Sequence, residues 1–283
     1  MNKKNLLIGA HMSIAKGIEQ SLYLGKEIGC TTIQIFLRSN RRWEFNDFTN
    51  QEIYKFNQAK IDTKIDTIVA HSRYLINLGS SSEEVQNKSL SSLDKELINC
   101  DKLGIKYLVL HPGAGNENIE KCINKVAQNI NKILNNNHSR VTIALENTAG
   151  QGSYIGSTFE QLYMLLSLIE DKNRIGICFD TCHAWASGYN FTDKESYSQM
   201  WHEFDSIIGL DKLKVIHLNN SKTDISSHID RHEEIDKGKI ALEAFKLIIN
   251  DKRLESIPKI LEIPYNNYQE LKRNLDLIKE LVD

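Results

Sequence analysis

The stretch Ile175-Gly176-Ile177-Cys178-Phe179-Asp180-Thr181-Cys182-His183 joins two patterns in nine residues. It begins as a short, continuous apolar run, the pattern of a strand buried on both faces of a parallel sheet. The run stops at a carboxylate, with an imidazole three residues on. The same beat recurs in both directions. Upstream, residues 141–145 end at Glu146, 107–110 at His111, 67–70 at His71, 32–36 at Leu37 and 6–10 at His11. Downstream, residues 213–216 end at His217 and 259–261 at Glu262. Amphipathic segments fill the gaps. Residues 118–134 put Ile119, Cys122, Ile123, Val126, Ile130, Ile133 and Leu134 on one helical stripe. Ser157-Thr158 can cap a helix running to Glu170, and residues 240–249 and 268–282 read the same way. Eight runs in 283 residues make one strand-and-helix unit per roughly 35 residues, the size of a (β/α)8 unit. The expected fold is therefore α/β, a (β/α)8 TIM barrel filling residues 1–283 as a single domain. An open doubly wound sheet is the rival, but no Gly-rich phosphate loop follows the first run.

Composition narrows the function classes. The chain is 41% hydrophobic and 25% charged, with 35 basic against 37 acidic residues and a net charge of −2. That excludes a wholly disordered chain and a binder that works by bulk positive charge, but not a local basic patch. No run approaches the roughly 20 apolar residues of a membrane span. The apolar stretch at residues 6–10 is too short for a secretory core. Five cysteines, at 30, 100, 122, 178 and 182, are odd in number and form no C-x-x-C pair. They make neither a disulfide framework nor a thiolate zinc ribbon. The expectation is a cytoplasmic protein with buried free thiols and no membrane partner.

In a β/α barrel the C-terminal strand ends share one mouth. Seven of the eight run ends carry His, Asp or Glu. From His71 onward they are spaced 40, 35, 34, 37 and 45 residues apart, so distant residues converge. Two further groups follow these ends, His183 after Asp180 and the pair in Asp230-Arg231-His232. The candidate ligand set is His71, His111, Glu146, Asp180, His183, His217, Asp230, His232 and Glu262. Imidazole and carboxylate donors suit Zn²⁺, and also Mn²⁺ or Fe²⁺. Nine are too many for one ion; two ions sharing a carboxylate, or three, fit better. His11 is expected behind the ligands, His138 in a solvated loop and His202 on a helix face. Cys178 and Cys182 read as buried thiols.

At these residues the chain resembles a known family. Gly176-Ile177-Cys178-Phe179-Asp180-Thr181-Cys182-His183 is similar to the G-x-C-x-D-T-C-H motif of endonuclease IV, the zinc-dependent apurinic/apyrimidinic endonucleases. His217-Leu218-Asn219-Asn220-Ser221-Lys222 with Asp230-Arg231-His232, the segments 70–78, 110–113 and 146–152, Gly9-Ala10-His11 and Leu261-Glu262 match its other landmarks in order. The resemblance implies a xylose-isomerase-like barrel with three zinc ions. The first would take His71, His111 and Glu146; the second Asp180, His217, Glu262 and a bridging Glu146; the third His183, Asp230 and His232. It also implies DNA repair: hydrolysis of double-stranded DNA on the 5′ side of an abasic site, leaving a 3′-hydroxyl and a 5′-deoxyribose phosphate. A metal-activated water beside Glu146, the expected catalytic residue, would be the nucleophile. Arg41, Tyr74 and Leu75 would contact DNA, within a basic loop of Arg38, Arg41 and Arg42 beside Trp43, and a monomer is expected. The chain departs from the family pattern at Asn220 (usually Asp), Asp236 (usually Gly), Ile263 (usually Thr) and Arg73 (usually small or Pro). The alternative is a metal-dependent sugar isomerase or epimerase on the same barrel, which gathers one or two ions. The His183, Asp230 and His232 group argues against it.

Overall fold

The computed structural model describes residues 6–40, 42–43, 46–115 and 118–283. Arg41 lies outside the described residues. Eight strands close into a parallel barrel: β1 (Ile8–His11), β2 (Thr32–Phe36), β3 (Ile68–His71), β4 (Tyr107–Leu110), β5 (Thr142–Glu146), β6 (Ile175–Asp180), β7 (Leu213–His217) and, beyond the short strands β8 (Asn220–Ser221) and β9 (His232–Glu233), β10 (Lys259–Leu261). Each pairs with its neighbour in sequence, and β10 closes the ring against β1. The expected barrel is therefore borne out, strand by strand.

Helices cover the outside: α1 (Gln20–Glu27), α2 (Asn50–Thr63), α3 (Glu83–Lys102), α4 (Ile119–Asn136), α5 (Phe159–Leu168), α6 (Thr181–Ser187), α7 (Lys194–Ile207), α8 (Leu242–Asn250) and α9 (Tyr268–Glu280). All but α1 and α8 start with a side-chain cap. Thr49 and Glu52 form a reciprocal capping box on α2, and Thr158 accepts from the Gln161 N–H at the start of α5. On α4 the stripe from Cys122 to Leu134 is buried, while Ile119 turns outward because it is the first residue of the helix, before the chain settles on the sheet.

The barrel interior explains where the site sits. Its plug is one apolar layer of Val69, Val109, Ala144, Cys178, Val215 and Ile260, one residue from each of β3, β4, β5, β6, β7 and β10. Side chains alternate along a strand, so the next inward position lies two residues on. Those positions are His71, His111, Glu146, Asp180, His217 and Glu262. The same alternation that packs a dry plug thus delivers six polar side chains above it. On β1 the corresponding plug position is Gly9, where an added Cβ would stand 1.6 Å from the Thr32 carbonyl oxygen. A side chain there would push β1 and β2 apart.

Candidate metal centre

Local structure puts two groups at the mouth that strand ends alone do not supply. Asp180 ends β6 and is also the N-cap of α6, its Oδ1 accepting from the His183 N–H at 2.8 Å. Its Oδ2 accepts from Asn219 Nδ2 at 2.6 Å and faces His217 Nδ1 at 3.8 Å, and the first turn of α6 brings His183 back to the same mouth. After β7 the chain runs out through β8 and returns on β9, with Ser221 opposite His232. This hairpin carries Asp230 and His232 inward.

The nine candidate residues fall into three groups whose donor atoms lie within 4.8 Å of one another: His71, His111 and Glu146; Glu146, Asp180, His217 and Glu262; and His183, Asp230 and His232. Glu146 links the first two. Its Oε2 lies 3.3 Å from His71 Nε2 and 3.0 Å from His111 Nε2, while its Oε1 lies 2.9 Å from His217 Nδ1. Glu262 Oε2 stands 3.0 Å from His217 Nδ1. In the third group His183 Nε2 is 3.2 Å from Asp230 Oδ2, and His232 Nε2 is 3.5 Å from Asp230 Oδ1.

These donors fit metal ions. Four N or O ligands about 2 Å from one zinc stand roughly 3.3 Å from each other, close to the spacings seen. Each of four imidazoles spends its second nitrogen on a carbonyl acceptor. His71 Nδ1 donates to Ser72 O at 2.7 Å, His183 Nδ1 to Asn147 O at 2.9 Å, His232 Nδ1 to Glu262 O at 3.1 Å, and His217 Nε2 to Gln34 Oε1 at 2.8 Å. The other nitrogen then offers a lone pair toward carboxylate oxygens, an arrangement that a cation relieves. His183 Nε2 and His232 Nε2 are buried and find no hydrogen-bond partner among the described residues, although carboxylates stand beside both.

Electrostatics carry the same sign. Burial would raise the Glu146 carboxyl, yet the imidazoles of His217, His111 and His183 hold it well below the usual carboxylate range. Asp230 is likewise opposed by burial, and His183 and His232 bring it down to about 2. Burial disfavours a charged His183, but Asp180, Asp230 and Glu146 lift it well above an ordinary imidazole. Cys178 and Cys182 differ: burial pushes both thiols up to about 12, so they stay protonated.

A cavity of about 490 Å³ opens over the groups, lined among others by His71, Tyr74, His111, Tyr154, Asp230 and Arg231. Its size falls in the roughly 300–1,000 Å³ range of small-ligand sites. Tyr74 stands in the mouth, 61% exposed, its ring centroid 5.6 Å from that of His71. Leu75 beside it is half-buried. Of the basic loop, Arg42 is exposed, but Arg38 is turned inward. Its Nη1 donates to Glu52 Oε1 at 2.8 Å and its guanidinium lies over Phe48, so it braces α2 instead of offering its charge to a partner. His138 and His202 lie away from the mouth, in a loop and on α7.

The departures from the family pattern are absorbed locally. Asn220 donates to Ile235 O and Ile240 O and accepts from Ile240 N. Asp236 takes a two-pronged contact from Arg273. Ile263 is buried in the core. Arg73 is buried with Glu96, its Nη1 donating to the Arg42 and Trp43 carbonyls at 2.9 Å each. Three residues that sequence reasoning left without a role also hold the site. Asn147 Oδ1 accepts from Asp180 N, Asn219 Nδ2 donates to Asp180 Oδ2, and Gln34 reaches both His217 and Glu262. Gln34 had a readable signal, a lone amide in the buried run Thr32-Ile33-Gln34-Ile35-Phe36, which must find partners.

A closed parallel barrel with an imidazole–carboxylate cluster at its mouth defines a class, and the family model for xylose isomerase-like TIM barrels matches residues 22–281. Within that class the chain is 39% identical over 278 residues to the probable endonuclease 4 of Geotalea daltonii, covering 97% of this chain and 98% of the other. It is 37% identical over 268 residues to an apurinic-apyrimidinic endonuclease of Caenorhabditis elegans, covering 93% of this chain and 67% of that one. The crystal structure of endonuclease IV from Thermus thermophilus superposes with a TM-score of 0.86 at 31% identity, covering 97% and 98% of the two chains. The chain belongs to the endonuclease IV family. A D-tagatose 3-epimerase-like protein shares the fold at 18% identity and a TM-score of 0.72.

Proposed function

We propose that this chain is a DNA repair endonuclease that hydrolyses the phosphodiester on the 5′ side of an abasic site, leaving a 3′-hydroxyl and a 5′-deoxyribose phosphate. The observation that carries the reading is the convergence of three donor groups at one mouth, with Glu146 shared between two of them. Three zinc ions are the proposed complement, with Mn²⁺ or Fe²⁺ able to bind the same donors. Such ions bring the pKa of water toward 7 and neutralise the charge of a phosphodiester.

The chain's own side chains do the rest. Glu146, fully buried and held ionised, would stand beside the attacking water and orient it between the two donor groups that it joins. His71, His111, Asp180, His183, His217, Asp230, His232 and Glu262 hold the cluster. Tyr74, followed by the half-buried Leu75, presents an aromatic face beside the cavity where an unstacked nucleotide would enter, and the exposed Arg42, with its sequence neighbour Arg41, would meet phosphates. An abasic nucleotide has lost its base stacking, so turning it into the cavity costs less than flipping an intact base. The third group, which a one- or two-ion sugar isomerase does not need, favours this reading over that one. The protein is proposed to act as a single-domain monomer in the cytoplasm, consistent with five buried free thiols.

The test is a duplex carrying one abasic site, with and without a chelator, for the wild type and Glu146→Gln. Chelator-sensitive incision at the lesion is expected, with the variant slowed at least about 100-fold while still binding the duplex. Incision indifferent to chelator, or near-normal turnover by the variant, refutes the assignment.

A further inference from the structure

We infer that Gln34 is a positioning residue for the donor group of Glu146, Asp180, His217 and Glu262, selecting the His217 tautomer and the Glu262 rotamer through one amide. The inference rests on the metal-centre reading above.

Gln34 comes from the middle of β2, the one barrel strand whose end carries no His, Asp or Glu. It is completely buried and stands beside His11 in the β1–β2 register. Its amide nitrogen donates to Glu262 Oε1 at 2.5 Å and reaches His11 Nδ1 at 3.0 Å, while its Oε1 faces His217 Nε2 at 2.8 Å. An ionised carboxylate only accepts hydrogen bonds, so the NH₂ end of the amide must face Glu262. The carbonyl end is then committed to His217, and a carbonyl only accepts. His217 must therefore carry hydrogen on Nε2.

Two consequences follow for the ligands. With Nε2 protonated, the neutral imidazole has its lone pair on Nδ1, the nitrogen 2.9 Å from Glu146 Oε1 and 3.0 Å from Glu262 Oε2. The opposite tautomer would set two lone pairs against each other at Gln34. On Glu262, tying up Oε1 leaves Oε2 as the oxygen facing the group. One neutral amide thus orients an imidazole and a carboxylate whose chain positions are 45 residues apart. His11 completes the arrangement from behind: its Nδ1 lies 3.4 Å from Glu262 Oε1 and does not contact the donor oxygen.

Loss of such an outer partner typically weakens metal binding 10–100-fold. The experiment is competition between the protein and a chromophoric chelator for zinc, with wild type, Gln34→Met and Gln34→Glu. It is paired with long-range ¹H–¹⁵N spectra of the imidazoles in the metal-loaded protein. Gln34→Met keeps the side-chain length without either polar end. It should weaken one zinc of the set by about 10–100-fold, leave the others in place, and scramble the His217 tautomer. Gln34→Glu still accepts from His217 but sets a carboxylate against Glu262. It should keep the Nε2–H tautomer and still weaken zinc by about tenfold or more. If the Met variant does not fold, the Glu variant carries the test. Wild-type zinc affinity in either folded variant, or an unchanged His217 tautomer in Gln34→Met, overturns the role of Gln34 alone. A wild-type chain that takes up no zinc overturns the metal-centre reading and this inference with it.

Discussion

Glu96 offers a sharp test of how the mouth loops are held. It lies on α3, 1% exposed, with Oε1 3.1 Å from Arg73 Nε, and its Oε2 has no hydrogen-bond partner among the described residues. Burial raises its carboxyl from an ordinary 4.5 to about 7, and Arg73 offsets only part of that rise. The folded chain therefore keeps this proton up to about pH 7, while the unfolded chain gives it up near 4.5. Between those values the folded state binds the extra proton, so the contribution is complete below pH 4.5 and is lost as pH rises through 7. At about 1.4 kcal/mol per unit, the swing is about 3 kcal/mol. Glu96→Gln removes the titration but leaves Arg73 its two carbonyl partners, Arg42 and Trp43, so the loop before α2 stays tied to the loop that bears Tyr74. The assay is urea unfolding of both proteins at pH 4.5 and pH 8. The metal-centre groups titrate in both chains and cancel in the difference. Wild type minus variant should fall by about 3 kcal/mol across that range. A difference that is flat, or that grows with pH, would show that Arg73 overcomes burial and would refute the reasoning.

Three further outcomes follow from the structure. Tyr74→Ala removes an exposed aromatic face at the mouth; losing about 1–3 kcal/mol of stacking should raise the Kd for an abasic duplex by roughly 5- to 150-fold with little change in Tm, and an unchanged Kd counts against Tyr74 as a DNA contact. Asn220→Asp sets a buried carboxylate against the Ile235 and Ile240 carbonyls that the amide now satisfies, so thermal unfolding should show a loss of at least about 2 kcal/mol; an equal Tm refutes it. Lys259 is buried at the base of β10 with Nζ donating to Leu254 O and Ile257 O, and burial brings its ammonium down to about 8. Because the unfolded chain holds that proton to higher pH, wild type should gain on Lys259→Met between pH 8 and pH 10, and a gap that narrows over that range contradicts the shift.

Much of the fold was legible because a parallel barrel writes each strand as a short apolar run and each strand end as a change of chemistry. The runs beginning near Ile8, Ile68 and Thr142 agree with the observed strands to within one or two residues. The candidate ligands were legible for the same reason, since seven sit directly at strand ends or one helical turn beyond, as His183 does at the start of α6. The supporting residues were harder to read. Asn147 and Asn219 act through amides on Asp180, a contact between neighbouring strands that spacing along one strand does not reveal. Arg38 read as a free charge in a basic loop, but Glu52, fourteen residues on, is brought to it by the start of α2. Pairing of that kind depends on where the helix begins, which the loop's composition does not encode.

The exception at β2 is explained by the alternation that places everything else. Inward positions on a strand recur every two residues, so a strand contributes to the mouth either at its last position or at the one two residues before it. On β3 to β7 and β10 the upper position carries the donor and the lower one a plug residue. On β2 the upper position is Phe36, whose ring packs 4.4 Å from that of His11 and 5.6 Å from that of His71, and the polar residue is displaced downward to Gln34. An amide at that depth sits beneath the carboxylates and cannot be wetted from the mouth, which is why it is buried completely and satisfied wholly by site residues. The same strand thus closes the cluster with an aromatic wall above and a hydrogen-bonding base below. A donor residue at position 36 would open that wall; an apolar residue at position 34 would leave His217 and Glu262 without the partner that orients them.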